Sequence, residues 1–414
     1  MKSMVTHFFP CDTEKEVDRK EPNRFLSEYL SDEIKLSSEH ASCSTLKGRN
    51  TMSFKKSVVI SLVVLSIFAL VMGISYRASV EAADVAVVNV KIAPATTIPT
   101  FDATAYIAGH GGHLAIINMK TMKAPMDIEK DRIVLSEAGS EMEGKIAGMS
   151  FEETKKAGGS HGQELVSEKG KKYLVAGTLA GNVYKVDLAT MKKEGPFKVG
   201  EKFCGAIAGP DGNIYFEDMA NGNVYIWDSK TLKTVDKMPV GKAVCGIQWT
   251  KNDKKAYITD MPTGVVYVYD WTTKKEVKQI TSPEMTFIHQ ARMTPDKKYL
   301  WVSAPNEFDP GLKPGTHKSQ VIIIDTATDA IVKRLVLPDN IRPHDFAFTK
   351  DGKYAFLSSR TYGDDSSLNV MEMKTDTIVG TVSACASCHK AAGVEVKIDK
   401  GSPLLCGITI DWHK

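Results

Sequence analysis

The feature that most constrains this chain is a repeat. Residues 223–233 read NVYIWDSKTLK, and similar apolar runs, each ending in an acidic or amide residue, recur as LAIINMKTM, NVYKVDLATMK, VVYVYDWTTKK, VIIIDTATD and LNVMEMKTD. The closing residues are Asn118, Asp187, Asp228, Asp270, Asp325 and Glu372. Asp187, Asp228 and Asp270 are spaced at about 40 residues, the period of a four-stranded propeller blade. Upstream of most runs lies a second strand, as in KYLVAGT, NIYFED, KAYITD, KYLWVSA and KYAFLSS, with turns such as Pro210-Asp211-Gly212 and Lys350-Asp351-Gly352 between strands. Short β-rich runs separated by turn signals predict an all-β chain with almost no helix.

The two ends of the repeat region complete one another. PLLCGITIDW, Pro403 to Trp412, matches the first strand of internal repeats, FCGAIAG from Phe203 and VCGIQW from Val244, yet no blade follows it. The first repeat, from Thr104, has later strands and no obvious first one. Pairing the C-terminal strand with the N-terminal strands would repair both defects, close a single β-propeller and remove its open sheet edges. Six four-stranded blades are clear. The long interval from Asn118 to Asp187 holds either a degenerate seventh blade or a loop insertion around residues 155–170.

Through strands such as KAYITD and turns such as TPDKKY and TKDGKY, residues 100–414 resemble the propellers named for a YVTN-like strand. These are related to the haem d1 domain of nitrite reductase and to the heavy subunit of methylamine dehydrogenase. The resemblance implies seven blades. It leaves activity open, because propellers host many functions.

Composition narrows the class. The 414 residues are 43% apolar and 25% charged with a formal charge of +3, which argues against a nucleic-acid binder or a disordered scaffold. From Met52 the chain reads as a signal peptide, residues 52–82: Lys55 and Lys56, an apolar run from Val58 to Ile74, then small residues before a cut after Ala82 or Ala83. The alternative is a permanent anchor, for which the run is near the lower length limit. Residues 1–51 show no apolar period and fit an extension from too early a start. The expected mature protein is thus an exported propeller of residues 83–414, in the periplasm or an equivalent compartment, without a permanent membrane anchor.

The most specific chemical motif is Cys385-Ala386-Ser387-Cys388-His389, the C-x-x-C-H pattern of covalent haem c attachment. Its thiols would form thioethers to the haem, and His389 would ligate the iron. Few residues follow His389, so no separate cytochrome domain fits there. A haem would lie against the propeller or a partner, with His413, Met371, Met373 or a partner residue as distal ligand. The competing readings are a Cys385–Cys388 disulfide, a vestigial site, and zinc ligation with Cys406. Cys204, Cys245 and Cys406 each precede Gly at the same place in a first strand. That recurrence reads as small buried residues where inner strands crowd, with a Cys204–Cys245 disulfide as the alternative. A copper or zinc site is not expected there.

A second candidate site is a polar funnel. His289 and His344 lie seven residues before Asp296 and Asp351, so they occupy equivalent positions in consecutive blades. Arg292, Arg342 and Asp345 lie nearby, and His110 and His113 would join them from the closing blade. The alternative is a solvated rim. Residues 305–318 read as a loop insertion, solvated or contacting another subunit, and Asp364 and Asp365 as a weak cation candidate. No Ser-His-Asp order, phosphate-binding glycine loop or carboxylate pair stands out.

Two function classes remain. One is a non-catalytic propeller subunit that organises a haem-containing redox complex. The other is a single-haem electron carrier or dehydrogenase subunit using Cys385, Cys388 and His389. The exported single propeller is similar to the β subunits of the hydrazine synthases of anaerobic ammonium oxidisers. That resemblance implies a haem-free propeller in an anammoxosome, beside multihaem cytochrome-type subunits that join nitric oxide and ammonium into hydrazine. The C-x-x-C-H motif departs from the haem-free pattern.

Overall fold

The computed structural model describes residues 85–93, 98–109, 113–123, 132–135, 159–305, 318–339, 341–360, 367–383 and 405–413. The chain divides into two units, 1–79 and 80–414, and all described residues belong to the second. The segment expected to be a signal peptide, the C-x-x-C-H motif, His110, Asp364, Asp365 and most of the 305–318 loop lie outside the described residues. No helix among the described residues is long and apolar enough to cross a membrane.

The described residues form six sheets built on one antiparallel four-strand plan. Blade 2 runs Ser160–Glu168, Lys171–Thr178, Asn182–Asp187 and Lys193–Lys198 from the centre outward, and blade 3 begins with Phe203–Ala208. Blade 4 begins with Val244–Trp249, blade 5 with Ala291–Met293 and blade 6 with Arg342–Phe348. Blade 1 takes its inner strand, Leu405–Trp412, from the C-terminal end and pairs it with Ala103–Gly109, as the mismatched repeat ends implied.

The inner strand of each blade packs against that of the next, and the inner strand of blade 1 packs against those of blades 6 and 2. The described ring therefore closes with six blades, not the seven favoured by family likeness. The interval from Asn118 to Asp187 supplies the outer strand of blade 1, Arg132–Val134, and the inner strands of blade 2.

The repeated acidic or amide residue ends the third strand and organises the turn to the fourth. Asp187 accepts hydrogen bonds from the amides of Ala189 and Thr190, and Asp325 from those of Ala327 and Thr328. These are Asx turns, which carry the chain round while satisfying its exposed amides.

Each pair of neighbouring blades shares one apolar core. Val175, Val183, Phe203, Phe216 and Trp227 fill the seam between blades 2 and 3, and Tyr257, Val268, Leu300 and Ile322 fill that between blades 4 and 5. Burying side chains of this size stabilises by about 1.5–3 kcal/mol each, so stability is distributed around the ring.

An addition that the repeat pattern does not announce is an N-terminal strap. Ala86–Asn89 and Lys91–Ile92 pair in parallel with the outermost strands of blades 5 and 6. Both edges that would otherwise face solvent are thereby covered.

Candidate functional site

One position recurs at the centre of every blade. His161, Cys204, Cys245, His289, His344 and Cys406 are each followed by Gly, Gln or Asp; five lie near the start of an inner strand, and His289 lies just before the inner strand of blade 5. In five blades the ladder to the second strand slips at this residue. The slips lie between Ser160 and Gly162, Phe203 and Gly205, Val244 and Gly246, Pro343 and Asp345, and Leu405 and Ile408. Such a bulge leaves one residue out of the ladder and re-aims its side chain. All six residues are buried.

The six side chains form two trios. Donor atoms of His161, His344 and Cys406 lie within 4.8 Å of one another, as do those of Cys204, Cys245 and His289. The imidazoles of His289 and His344 join the trios, with ring centroids 4.2 Å apart, and those of His161 and His344 are 5.1 Å apart. Cys204 and Cys245 form a disulfide between adjacent blades, their Cα atoms 4.9 Å apart, while Cys406 is a buried thiol.

Beside this ring lies a charged core. Arg292 grips Asp345 through two hydrogen bonds of 2.8 Å. Asp345 also accepts the amides of Phe346 at 2.8 Å and Ile408 at 3.0 Å, so one carboxylate ties blade 5 to blade 6 and blade 6 to blade 1. Burial opposes the charge of Arg292, but Asp345, Glu164 and Glu217 more than offset this and raise its pKa.

Other polar side chains bridge neighbouring blades. Glu217 accepts the amide of Ile247, Glu164 that of Ala208, and Gln248 that of Met293. Gln163 donates to the carbonyls of Tyr106 and Gly407. Burial pushes the Glu217 carboxyl up to about 8 against the pull of Arg292, and it raises Glu164 as well. Glu217 is therefore mostly protonated at neutral pH and can donate a hydrogen bond from inside the ring.

The funnel residues thus divide. His289, His344 and Asp345 are buried, Arg292 is largely so, and Arg342 is half-buried at the start of the blade 6 inner strand. This is an interior cluster instead of a solvated rim. His113 lies on the second hydrogen-bonded strand of blade 1. Cys385, Cys388 and His389 fall outside the described residues. Of the distal ligands considered, His413 bonds Asp102 through Nδ1 and Thr104 through Nε2, and Met371 is buried in the core between blades 5 and 6.

His161 and the shared register of the cysteines and histidines escape a reading of short motifs. Cys204 and Cys245 are recognised by the glycine that follows them, and His289 and His344 by the turn downstream. The signal joining them is a common offset: Cys204 precedes Asp211 by seven residues, as His289 precedes Asp296, and His161 stands in the same relation to Glu168.

Residues 242–393 match the family model described as the Cytochrome D1 heme domain. That stretch takes in blades 4 to 6 and the C-x-x-C-H motif. Among solved structures the chain is similar to hydrazine synthase from Kuenenia stuttgartiensis at 20% identity and a TM-score of 0.41. The match covers 49% of this chain and 60% of that one, so less than two thirds of the solved chain is spanned. No curated protein matches.

The seams between the inner strands do not fit a tetrapyrrole. A Cβ on Gly162 would collide with the backbone of Gly205, and one on Gly407 would lie 3.0 Å from the carbonyl oxygen of His161. Neighbouring inner strands therefore leave no room for a macrocycle between them at this level.

Proposed function

We propose that this protein is an exported β-propeller subunit of a haem-containing redox complex of nitrogen metabolism, comparable to the β subunit of hydrazine synthase. The observation that carries the reading is the match of residues 242–393 to a haem-domain family, on a ring with no complete catalytic constellation among its described residues. The signal-peptide pattern before the propeller supports export to a periplasm-like compartment, where haem c is attached. In this reading the propeller is a rigid platform, its partners are multihaem cytochrome-type subunits, and the chemistry belongs to the partners.

The motif itself favours a second reading, in which Cys385, Cys388 and His389 hold one haem c and the propeller carries electrons. The mature protein, purified from its native host and denatured, separates the two. A pyridine haemochrome spectrum with the mass increment of one covalent haem would overturn the haem-free subunit reading. Absence of haem, with multihaem partners co-purifying, would overturn the electron-carrier reading.

A further inference from the structure

We propose that His161, His344 and Cys406 form a buried copper site at the neck of the propeller. The site stands apart from the C-x-x-C-H motif and does not rest on the function proposed above.

Three observations point to it. The donors come from three consecutive inner strands, those of blades 6, 1 and 2, and each sits at a ladder slip that turns it out of the sheet. Their ligand atoms lie within 4.8 Å of one another, and all three residues are buried. Bonds of about 2.0 Å to nitrogen and 2.3 Å to sulfur require the three to draw in slightly around an ion. Finally, one imidazole is already oriented. His161 Nδ1 lies 2.6 Å from the carbonyl oxygen of Cys204, which can only accept, so Nδ1 carries the proton and the lone pair belongs to Nε2. Backbone carbonyls fix metal-binding histidines in this way at established sites.

The donor set selects the metal. Two imidazoles and one thiolate, without a carboxylate, suit a soft or borderline ion. Structural zinc takes four protein ligands, whereas copper is held by two histidines and a cysteine in trigonal sites. The sulfurs of the neighbouring trio are joined in the Cys204–Cys245 disulfide, so they do not supply a fourth thiolate. Binding deprotonates Cys406, and the released proton leaves to solvent.

The test compares metal retention in two proteins, both full chains with Cys385→Ser and Cys388→Ser so that the haem-type thiols do not compete. One is otherwise unchanged and the other also carries Cys406→Ala. Each is loaded anaerobically with cuprous ion without reductant, so that the disulfide stays formed, then desalted and assayed for copper and zinc. The expected result is one more copper per chain in the first protein, at least tenfold less at this site in the second, and X-ray absorption showing one sulfur and two nitrogen neighbours. His344→Gln gives the same loss by a second route should Cys406→Ala fail to fold. Equal copper in the first protein and a folded variant overturns the proposal. So does a copper site without sulfur, or displacement of copper by equimolar zinc.

Discussion

The two sides of the central ring solve one packing problem with different chemistry. Where blades 3 and 4 meet, the recurring position holds two cysteines, and the seam is closed by a covalent bond. Where blades 5, 6 and 1 meet, it holds two histidines and a thiol, and the seam is tied by Arg292, Asp345 and the amide of Ile408. The backbone geometry is shared, including the slip in the ladder at blades 1, 3, 4 and 6. Propeller symmetry therefore dictates where a side chain converges on the axis, and residue choice alone decides whether that convergence becomes a cross-link or a polar cluster.

The largest expected effect breaks the polar side. Asp345→Ala leaves Arg292 buried without its partner and removes the acceptor of the Ile408 amide, so it should lower stability by about 3–5 kcal/mol in urea unfolding. A loss below about 1 kcal/mol would show that the ion pair does not hold this seam. On the covalent side, Cys204→Ala with Cys245→Ala opens a disulfide of sequence separation 41. It should cost about 2–4 kcal/mol, chiefly by freeing the unfolded chain. If this variant proves less stable than Asp345→Ala, the ranking of the two seams is reversed.

The third prediction concerns pH. Glu217 binds its proton more tightly in the folded protein than in the unfolded chain, its pKa rising from 4.5 to about 8. Its contribution is therefore complete at low pH and is lost as pH rises through that window, by at most about 1.4 kcal/mol per pH unit. Glu217→Gln keeps a neutral hydrogen-bonding group and should flatten the decline in stability between pH 5 and 8. A variant whose stability falls as steeply as that of the parent would place the titration elsewhere.

Much of the ring is legible in the amino-acid sequence. The strand periods, the turn residues and the mismatched ends lead to an all-β propeller closed by its last strand, because each is a local pattern or a pairing between clearly matching partners. The blade number is obscured by the irregular stretch after Asn118, where likeness to a family outweighs the six repeats that can be read directly. The strap escapes because its strands are short and pair in parallel with partners far along the chain, which leaves no local mark. Of the central cluster, the equivalence of His289 and His344 is readable. Its extension to His161 and the three cysteines is hidden by the difference between residue types. A metal site is not expected from the cysteines alone, and it emerges only when the histidines beside them are counted.

The closing strand also determines when this interior comes into being. Leu405–Trp412 follows every other described strand in the chain, yet it is the innermost strand of the first blade and brings Cys406 between His161 and His344. Five of the six blades draw all four strands of their basic plan from one stretch of chain, while the first must wait for a partner about 300 residues away, a contact of high order and slow to form. Until that last pairing the central cluster is an open arc lacking Cys406. Completion of the cluster therefore reports the end of folding: a chain that has failed to close cannot present the three donors together.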